Sequence, residues 1–559
     1  MNHKQYIADR ITLQGITPQQ IYNALVNASD PAHGDFALPC FTFSKTLRQS
    51  PQAIGEAIAA SFKTDNIIAN VAVVSGYVNF KLNRAGFVQD ALMLLDKKGE
   101  NFKPFKPNNK TVCIDYSSIN IAKPFHIGHL LTTAIGGSLY KMHQYLGYKT
   151  IGINHLGDWG TQFGKLISAY KRWGNREAIQ KGGIMALNEL YVKFHKEAET
   201  DKSLEEEGRA FFKHIESGET EALNLFAWFK DITMAEVEKV YSRLGIAFDS
   251  YNGESFYNDK MDGVVAALKT SNLLSDSQGA QVVDLEAEGM PPCLILKSDG
   301  ASLYATRDLA AAEYRKKNYN FDKNLYVVAY QQNLHFKQVF KVLEKLGHSW
   351  AQDCVHVPFG MVSLEGGGAL STRKGNVIYL NDVLEAAVQK TREIIEQKNP
   401  DLADKEQTAE SVGVGAIVFM ALANARIKDV VFSIERAVNF DGETAPYIQY
   451  THTRCCSIIE KAKLQSEAVA TPADDLCDDE GFNLIKMLAK YDNVVEQAAQ
   501  KYEPSILSKY LIDLSQSFNR YYISHRILGD ANRLKLTTYV KNTLKNGLSL
   551  LLINAPNKM

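Results

Sequence analysis

The spacing of apolar and polar positions changes several times along the chain. In "SPQAIGEAIAASF", Ser50–Phe62, apolar residues recur at helical spacing, whereas "NVAVVSGYVNFKL", Asn70–Leu82, alternates as strands do. Residues 1–108 therefore read as a small α+β domain, ending in the Pro- and Lys-rich joint "KPFKPNNK", Lys103–Lys110. "TVCIDYS", Thr111–Ser117, is a short apolar, β-branched run that suits a buried strand. A Gly-containing turn follows, then a helix over about 128–146, and "KTIGINHLGDWG", Lys149–Gly160, is again strand then loop. Strand, turn, helix and strand open a parallel α/β sheet. Charged helical patterning over about 170–290, as in "DKSLEEEGRAFFKHI", Asp201–Ile215, reads as an insertion. The α/β character returns with "CLILKSDGASLYATRDLAAAEYR", Cys293–Arg315, and with the strand "LYVVAY", Leu325–Tyr330. From about Tyr447 the period is helical to the end, so the chain divides into 1–108, an α/β region 109–445 and a helical region 446–559.

Composition adds limits rather than chemistry. A chain of 559 residues exceeds the roughly 100–200 of one domain. Lys+Arg 62 against Asp+Glu 63 leaves a net charge of −1, so any nucleic-acid footprint must be local. One such footprint exists: after residue 500, nine basic side chains face three acidic ones, a net of +6, interleaved with Tyr510, Phe518, Tyr521, Tyr522 and Tyr539. Rings among basic helices suit splayed, stacked bases, although most such rings are ordinary helix core. Seven scattered cysteines show neither zinc spacing nor a disulfide framework, so reduced thiols and a cytoplasmic setting are expected. The N-terminus lacks a signal-peptide pattern, and no apolar run approaches 18 residues, so no membrane span is expected.

Two segments carry candidate chemistry. "SSINIAKPFHIGHLLTTAIGG", Ser117–Gly137, places His126 and His129 around Gly128 where the first α/β strand turns into its helix. That position binds ligands in open α/β sheets, and helix N-terminal amides favour anions. Gly128 allows close approach, the imidazoles can donate to phosphate, Lys123 adds a cation and Pro124 pins the backbone. A purely structural turn and a metal site, with His155 and Asp158 downstream, remain alternatives at this point. "GGGALSTRKGNVIYL", Gly366–Leu380, is a glycine-rich loop with Ser371, Thr372, Arg373, Lys374 and Gly375, suited to closing over pyrophosphate. Alone it could be a basic surface hairpin.

Together, "HIGH" and "STRKG" resemble a class I aminoacyl-tRNA synthetase. The further blocks "SSINIAKPFHIGHL", "NHLGDWGTQFG" (Asn154–Gly164), "YATRDLAAA" (Tyr304–Ala312), "QQNLHF" (Gln331–Phe336) and "APYIQYTHTR" (Ala445–Arg454) resemble the arginyl-tRNA synthetase family. "HGDFALPCFTFSKTL", His33–Leu47, and "KNGLSLLLINAPNKM", Lys545–Met559, extend the likeness to nearly the full length. Ile119 stands where the family has Pro, and the Lys-Met-Ser-Lys-Ser loop of the class is absent as such.

The resemblance implies a doubly wound, Rossmann-like parallel-sheet catalytic domain with an insertion. It further implies an N-terminal α+β domain on the tRNA elbow side and an all-α anticodon-binding bundle. The implied reaction activates L-arginine with ATP and transfers it to tRNA-Arg, with Mg²⁺ on the ATP phosphates, no protein-bound zinc and a monomeric enzyme. Lys123, His126, His129, Arg373 and Lys374 would be catalytic, Lys123 supplying a cation that the loop lacks. Gly128, Phe359, Gly360, Met361, Val362 and Ser371 would join the histidines on ATP. Arginine would meet Asn120, Gln332, Tyr304 and Asp308, the last taking the guanidinium; Tyr304 and Asp308, at i and i+4, would share a helix face. Without the resemblance these two read as a half-buried ring and a solvated carboxylate. Asp115 matches an acidic position near the substrate and would join the arginine contacts, with a structural role a close second. Tyr447, Tyr450, Tyr521 and Met559 would face the anticodon.

Overall fold

The computed structural model describes residues 3–28, 30–99, 102, 105–298, 304–364, 378–464 and 476–559. Its contacts divide the chain into two compact units. The first comprises Met1–Phe102, Ile458–Tyr491 and Gln516–Asn542; the second comprises Lys103–Ser457, Asp492–Ser515 and Thr543–Met559.

In the first unit, strands β1 (Val26–Asn27), β2 (Phe36–Pro39), β3 (Ile68–Val74) and β4 (Tyr77–Leu82) form an antiparallel sheet in the order β1-β2-β4-β3. The helix Pro51–Ser61 starts where Ser50 accepts the Ala53 N–H and Pro51 pre-sets the first turn. Ile54 and Ile58, one turn apart, form its buried stripe. The helix Arg84–Lys98 packs Phe87 edge-on to Phe482, and Arg84 pairs with Asp479 at 2.5 Å.

The second unit is built on β5 (Thr111–Asp115), β6 (Lys149–Ile153), β10 (Lys323–Ala329) and β11 (Cys354–Phe359), all parallel in the order β11-β10-β5-β6. From β5 the chain steps one way to β6 through the helix Gly128–Tyr145, then returns to the other side of β5 to enter β10. The C-terminal ends of β5 and β10 thus flank a topological switch point, where such sheets open a crevice. The helix Tyr304–Tyr319 lies against the sheet through Leu309, Ala310 and Ala312, which share one core with Cys113, Ile153 and Tyr326.

Between β6 and β10 the insertion is helical over Thr161–Trp173, Arg176–Thr200, Ser203–Glu216 and Thr220–Leu244. It closes with a small antiparallel sheet, β7 (Leu274–Ser277), β8 (Ala280–Val283) and β9 (Cys293–Leu296). The sequence pattern returned "CLIL" to the main α/β sheet; it is instead the edge strand β9 of this hairpin sheet. Its alternation of buried Cys293 and Ile295 with exposed Leu294 is that of a one-sided antiparallel strand.

Candidate active site

The loop between β5 and the helix Gly128–Tyr145 holds three non-glycine residues at positive φ: Ser117 (71°), Ser118 (44°) and Ala122 (62°). Such backbone persists only where its surroundings over-determine it. Here the Ser117 N–H donates to Thr132 Oγ1 (3.0 Å), which donates to the Val327 carbonyl (2.7 Å). Thr133 donates to Ser117 Oγ, the Tyr241 hydroxyl meets the same atom, and Thr233 accepts the Ala122 N–H. Asn120 bridges to Gly157: the Gly157 N–H donates to Ile119 O and the Ile121 N–H to Gly157 O. A Cβ on Gly157 would stand 2.5 Å from Asn120 Oδ1, so glycine alone lets the exposed Asn120 side chain lie there.

At the mouth of the helix the two imidazoles lie 3.9 Å apart between ring centroids. His126 Nδ1 accepts the Gly128 N–H (3.1 Å), and His129 Nδ1 accepts the His126 N–H (3.2 Å). A nitrogen that accepts a backbone N–H carries no proton, so both rings are neutral tautomers with the proton on Nε2. Burial, reinforced by Lys123, pushes His126 down to about 4; burial and the neighbouring His126 hold His129 below the usual histidine range. Each ring thus keeps an Nε2–H donor, and Lys123 beside them is half-buried; two such donors and a cation suit an anion chemically. The space opened by Gly128 is used by the protein itself, because a Cβ there would lie 2.8 Å from the His126 ring.

Ser371, Thr372, Arg373 and Lys374 lie outside the described residues, and so does the rest of 365–377. The flanks of that stretch are placed. β12 (Val362–Leu364) pairs in parallel with β13 (Val430–Phe432), and Tyr379 forms an antiparallel bridge to His126. The Ile127 N–H donates to Ile378 O (3.0 Å) and the Leu380 N–H to Phe125 O (2.9 Å), which ties the loop's exit to the histidine turn. At its entrance, Phe359 is buried at the end of β11 and Val362 begins β12. The Gly360 N–H donates to Arg426 O and the Met361 N–H to the Asp429 carboxylate, both within the chain.

The other end of the crevice is charged. Asp308, one turn into the helix Tyr304–Tyr319, accepts from His335 Nε2 at 2.6 Å. Burial alone would raise its carboxyl, but His335, His155 and Arg315 together hold it below the usual carboxylate range. Burial likewise lowers His335, yet the hydrogen bond and charge of Asp308 leave it raised. Two turns beyond Asp308, the buried Arg315 donates to Asp115 Oδ2 at 2.7 Å, and Ser118 donates to Asp115 Oδ1. Each oxygen of Asp115 thus accepts one donor inside the protein, which ties the carboxylate to Arg315 and to the strained loop. Glu254 faces Arg307 at 3.4 Å, and burial, resisted by Arg307, pushes it up to about 7. Asp158 takes Lys230 at 2.7 Å together with the N–H and hydroxyl of Ser255, which fixes the segment carrying Glu254. Tyr304, 65% exposed, and Gln332, exposed at the start of the helix Asn333–Lys345, stand at the same end of the sheet.

This geometry accords with three family descriptions that match the chain. "tRNA synthetases class I (R), catalytic domain" spans residues 90–434, "DALR anticodon binding domain" spans 448–559, and "Arginyl tRNA synthetase N terminal domain" spans 2–82. An arginine–tRNA ligase of Clostridium botulinum is 50% identical over 94% of both chains. One of Halothermothrix orenii is 45% identical over the whole of both. The solved arginyl-tRNA synthetase of Thermus thermophilus superposes with a TM-score of 0.83 at 25% identity, over 100% of this chain and 99% of that one. The chain belongs to the arginyl-tRNA synthetase family.

As an arginyl-tRNA synthetase family member it is an aminoacyl-tRNA ligase with the class I catalytic domain. Within its C-terminal helices, the family expectation for individual tyrosines meets mixed surroundings. Tyr450 is 44% exposed, with the Arg454 guanidinium 5.0 Å from its ring centre, and Tyr447 is half-buried. Met559 is half-buried, its carbonyl accepting from Asn399. Tyr521 needs correction: its ring is fully buried, stacked 4.2 Å from His525, and offers no surface to a base. It lies on the apolar stripe of the helix Ser505–Ser524, whereas its neighbour Tyr522 is exposed. Tyr510, Phe518 and Tyr539 are likewise core.

Sequence reasoning missed His335, Arg315, Glu254 and Arg307, and weighed His155 only within the metal-site alternative. His335 was in view within "QQNLHF" but carried no spacing signal. Arg315 lies seven residues after Asp308, two turns along the same helix face, which is the one signal that could have found it.

Proposed function

We propose that this chain performs the family reaction with the residues above in defined roles. Arginine's carboxylate attacks the α-phosphorus of ATP, giving arginyl-adenylate and pyrophosphate. The adenylate then passes its arginyl group to the terminal ribose of tRNA-Arg and releases AMP. In-line attack at phosphorus asks the protein mainly for position and charge stabilisation. His126 and His129 donate Nε2–H to the phosphates, and Lys123 supplies the compact cation beside them. Mg²⁺ riding on the phosphates would neutralise further charge. Gly128, Phe359, Gly360, Met361 and Val362 shape the nucleotide side. Ser371, Arg373 and Lys374 belong to the loop that covers the leaving pyrophosphate. Asp308 takes the guanidinium with Tyr304 beside it, while Asn120 and Gln332 take the α-amino and carboxylate end. Tyr447, Tyr450 and Met559 face the anticodon side, and the protein works as a cytoplasmic monomer. Among the described residues no helix is long and apolar enough to cross a membrane.

The observation that carries this reading is the pairing of a neutral two-histidine cradle at one end of the crevice with a charged carboxylate at the other. An arginine-specific charging assay tests it: tRNA-Arg with arginine, lysine or glutamine and ATP. Charging with arginine alone is expected. Equal charging with lysine, or pyrophosphate release independent of arginine, would refute the assignment.

A further inference from the structure

His335 sits in the first turn of the helix Asn333–Lys345, beyond the C-terminal end of β10, and no role has yet been given to it. Its Nε2 lies 2.6 Å from Asp308 Oδ2, with both side chains about three-quarters buried, at 25% and 23% exposure. A guanidinium is always charged and asks for a full carboxylate. An imidazolium already holding that carboxylate would compete for it and repel the incoming cation. A neutral imidazole keeping its proton on Nε2 would hold Asp308 in place and leave the negative charge to the ligand.

We propose that His335 is a positioning residue for arginine: it aims the Asp308 carboxylate at the guanidinium, and arginine binding drives the second imidazole proton, from Nδ1, to solvent. This rests on the reading that Asp308 takes the guanidinium. No bond other than that N–H is broken, and Nε2–H continues to donate to Asp308.

The surroundings favour such a handover. Burial lowers His335, but the hydrogen bond and charge of Asp308 more than offset it, so the ring is shifted toward its protonated form. From β11, His356 lies near and donates Nε2–H to Val328 O (2.9 Å); burial holds it below the usual histidine range. Arg426 adds positive charge to that side. Across Asp308 stand Arg315 and His155, the latter also lowered by burial. Glu254, pushed up to about 7 by burial, faces Asp308 from the 254–260 turn and adds its own pH dependence. The contribution of His335 is therefore read as a difference between variants.

The experiment is calorimetric titration of arginine into the full-length protein, in buffers of different ionisation enthalpy, from about pH 8 down to about pH 6. In the wild type, arginine's Kd rises by up to about tenfold per pH unit below the His335 titration, with protons released on binding. His335→Gln keeps a donor but cannot titrate. It binds within about threefold of wild type on the alkaline plateau and releases about one proton fewer, with a flatter slope. His335→Leu, which cannot donate, binds about tenfold more weakly throughout. The proposal is overturned if His335→Gln keeps the wild-type proton release and slope, or is as weak as His335→Leu on the plateau. Asp308→Asn separates the layers. Arginine binding unchanged in that variant sinks the guanidinium reading itself. Weak binding there, with His335→Gln indistinguishable from wild type at every pH, sinks the role of His335 alone.

Discussion

The two ends of the crevice use the same side chain in opposite states. At the nucleotide end, His126 and His129 accept backbone N–H groups on Nδ1 and are kept neutral by burial and by positive neighbours. At the amino-acid end, His335 is equally close to a partner, but that partner is the Asp308 carboxylate, and its titration moves the other way. What an imidazole does is set by what its nitrogens touch. In the proposed function, the neutral rings offer phosphate two donors while Lys123 bears the charge. The ring beside Asp308 is shifted toward protonation, and with His155 and Arg315 it holds that carboxyl below the usual carboxylate range against burial.

The contrast can be broken from either side, and the largest effect is expected at the ion pair beneath the amino-acid end. Arg315→Leu leaves Asp115 buried without its cation and should lower stability by about 3–5 kcal/mol, measured by urea unfolding of the full chain. Adding Asp115→Leu should recover much of that loss, and a single-variant change below about 1 kcal/mol would show that the pair is not structural.

Next come the two ends themselves, which should fail in different parameters. His129→Ala removes a donor that acts as charge builds on the phosphates. It is expected to lower the rate of arginine- and tRNA-dependent ATP–pyrophosphate exchange by about 10²–10³-fold with the KM for arginine nearly unchanged. Asp308→Asn should do the reverse, raising the KM for arginine by about 10–100-fold and leaving the ATP parameters close to wild type. A shared loss of both parameters in both variants would mean that the ends are not separable.

The smallest effect is a pH slope. Because burial raises the Glu254 carboxyl from 4.5 to about 7, the folded chain binds a proton in that interval that the unfolded chain has released. Stability from this group is present at acid pH and is lost as pH rises through about 7. Glu254→Gln should therefore flatten the stability profile between those values by about 2 kcal/mol, read as melting temperature against pH. An unaltered slope would place Glu254 in water.

The difference between the ends also explains what could be read in the chain letters. The nucleotide end is contiguous: strand, turn, Lys123, His126, Gly128 and His129 fall within 20 residues, so an anion cradle is legible there beside a structural turn and a metal site. Even there, the tie from His126 to Tyr379 joins segments about 250 residues apart and left no sequence pattern. The amino-acid end is assembled from Asp115, His155, Glu254, the helix Tyr304–Tyr319 and His335, which only the strand order β11-β10-β5-β6 brings together. Asp308 was found by likeness to a family, whereas of the partners that set its charge His335 and Arg315 were not found and His155 was weighed only as a metal ligand. Asp115 shows the limit most clearly, since a buried carboxylate that binds substrate and one that binds a buried arginine look alike in sequence. The architecture was easier, because periodicity alone separates the helical C-terminus from the α/β sheet. It failed at β9, where a four-residue apolar run fits either kind of sheet.

The most direct measurement of the contrast is long-range ¹H–¹⁵N correlation on ¹⁵N-histidine-labelled protein, with His126, His129 and His335 assigned from single substitutions. At a pH of about 6.5, His126 and His129 are expected as neutral rings protonated on Nε2, and His335 as an imidazolium that becomes neutral when arginine is added. A neutral His335 in the arginine-free protein, or protonated rings at His126 and His129, would contradict the account.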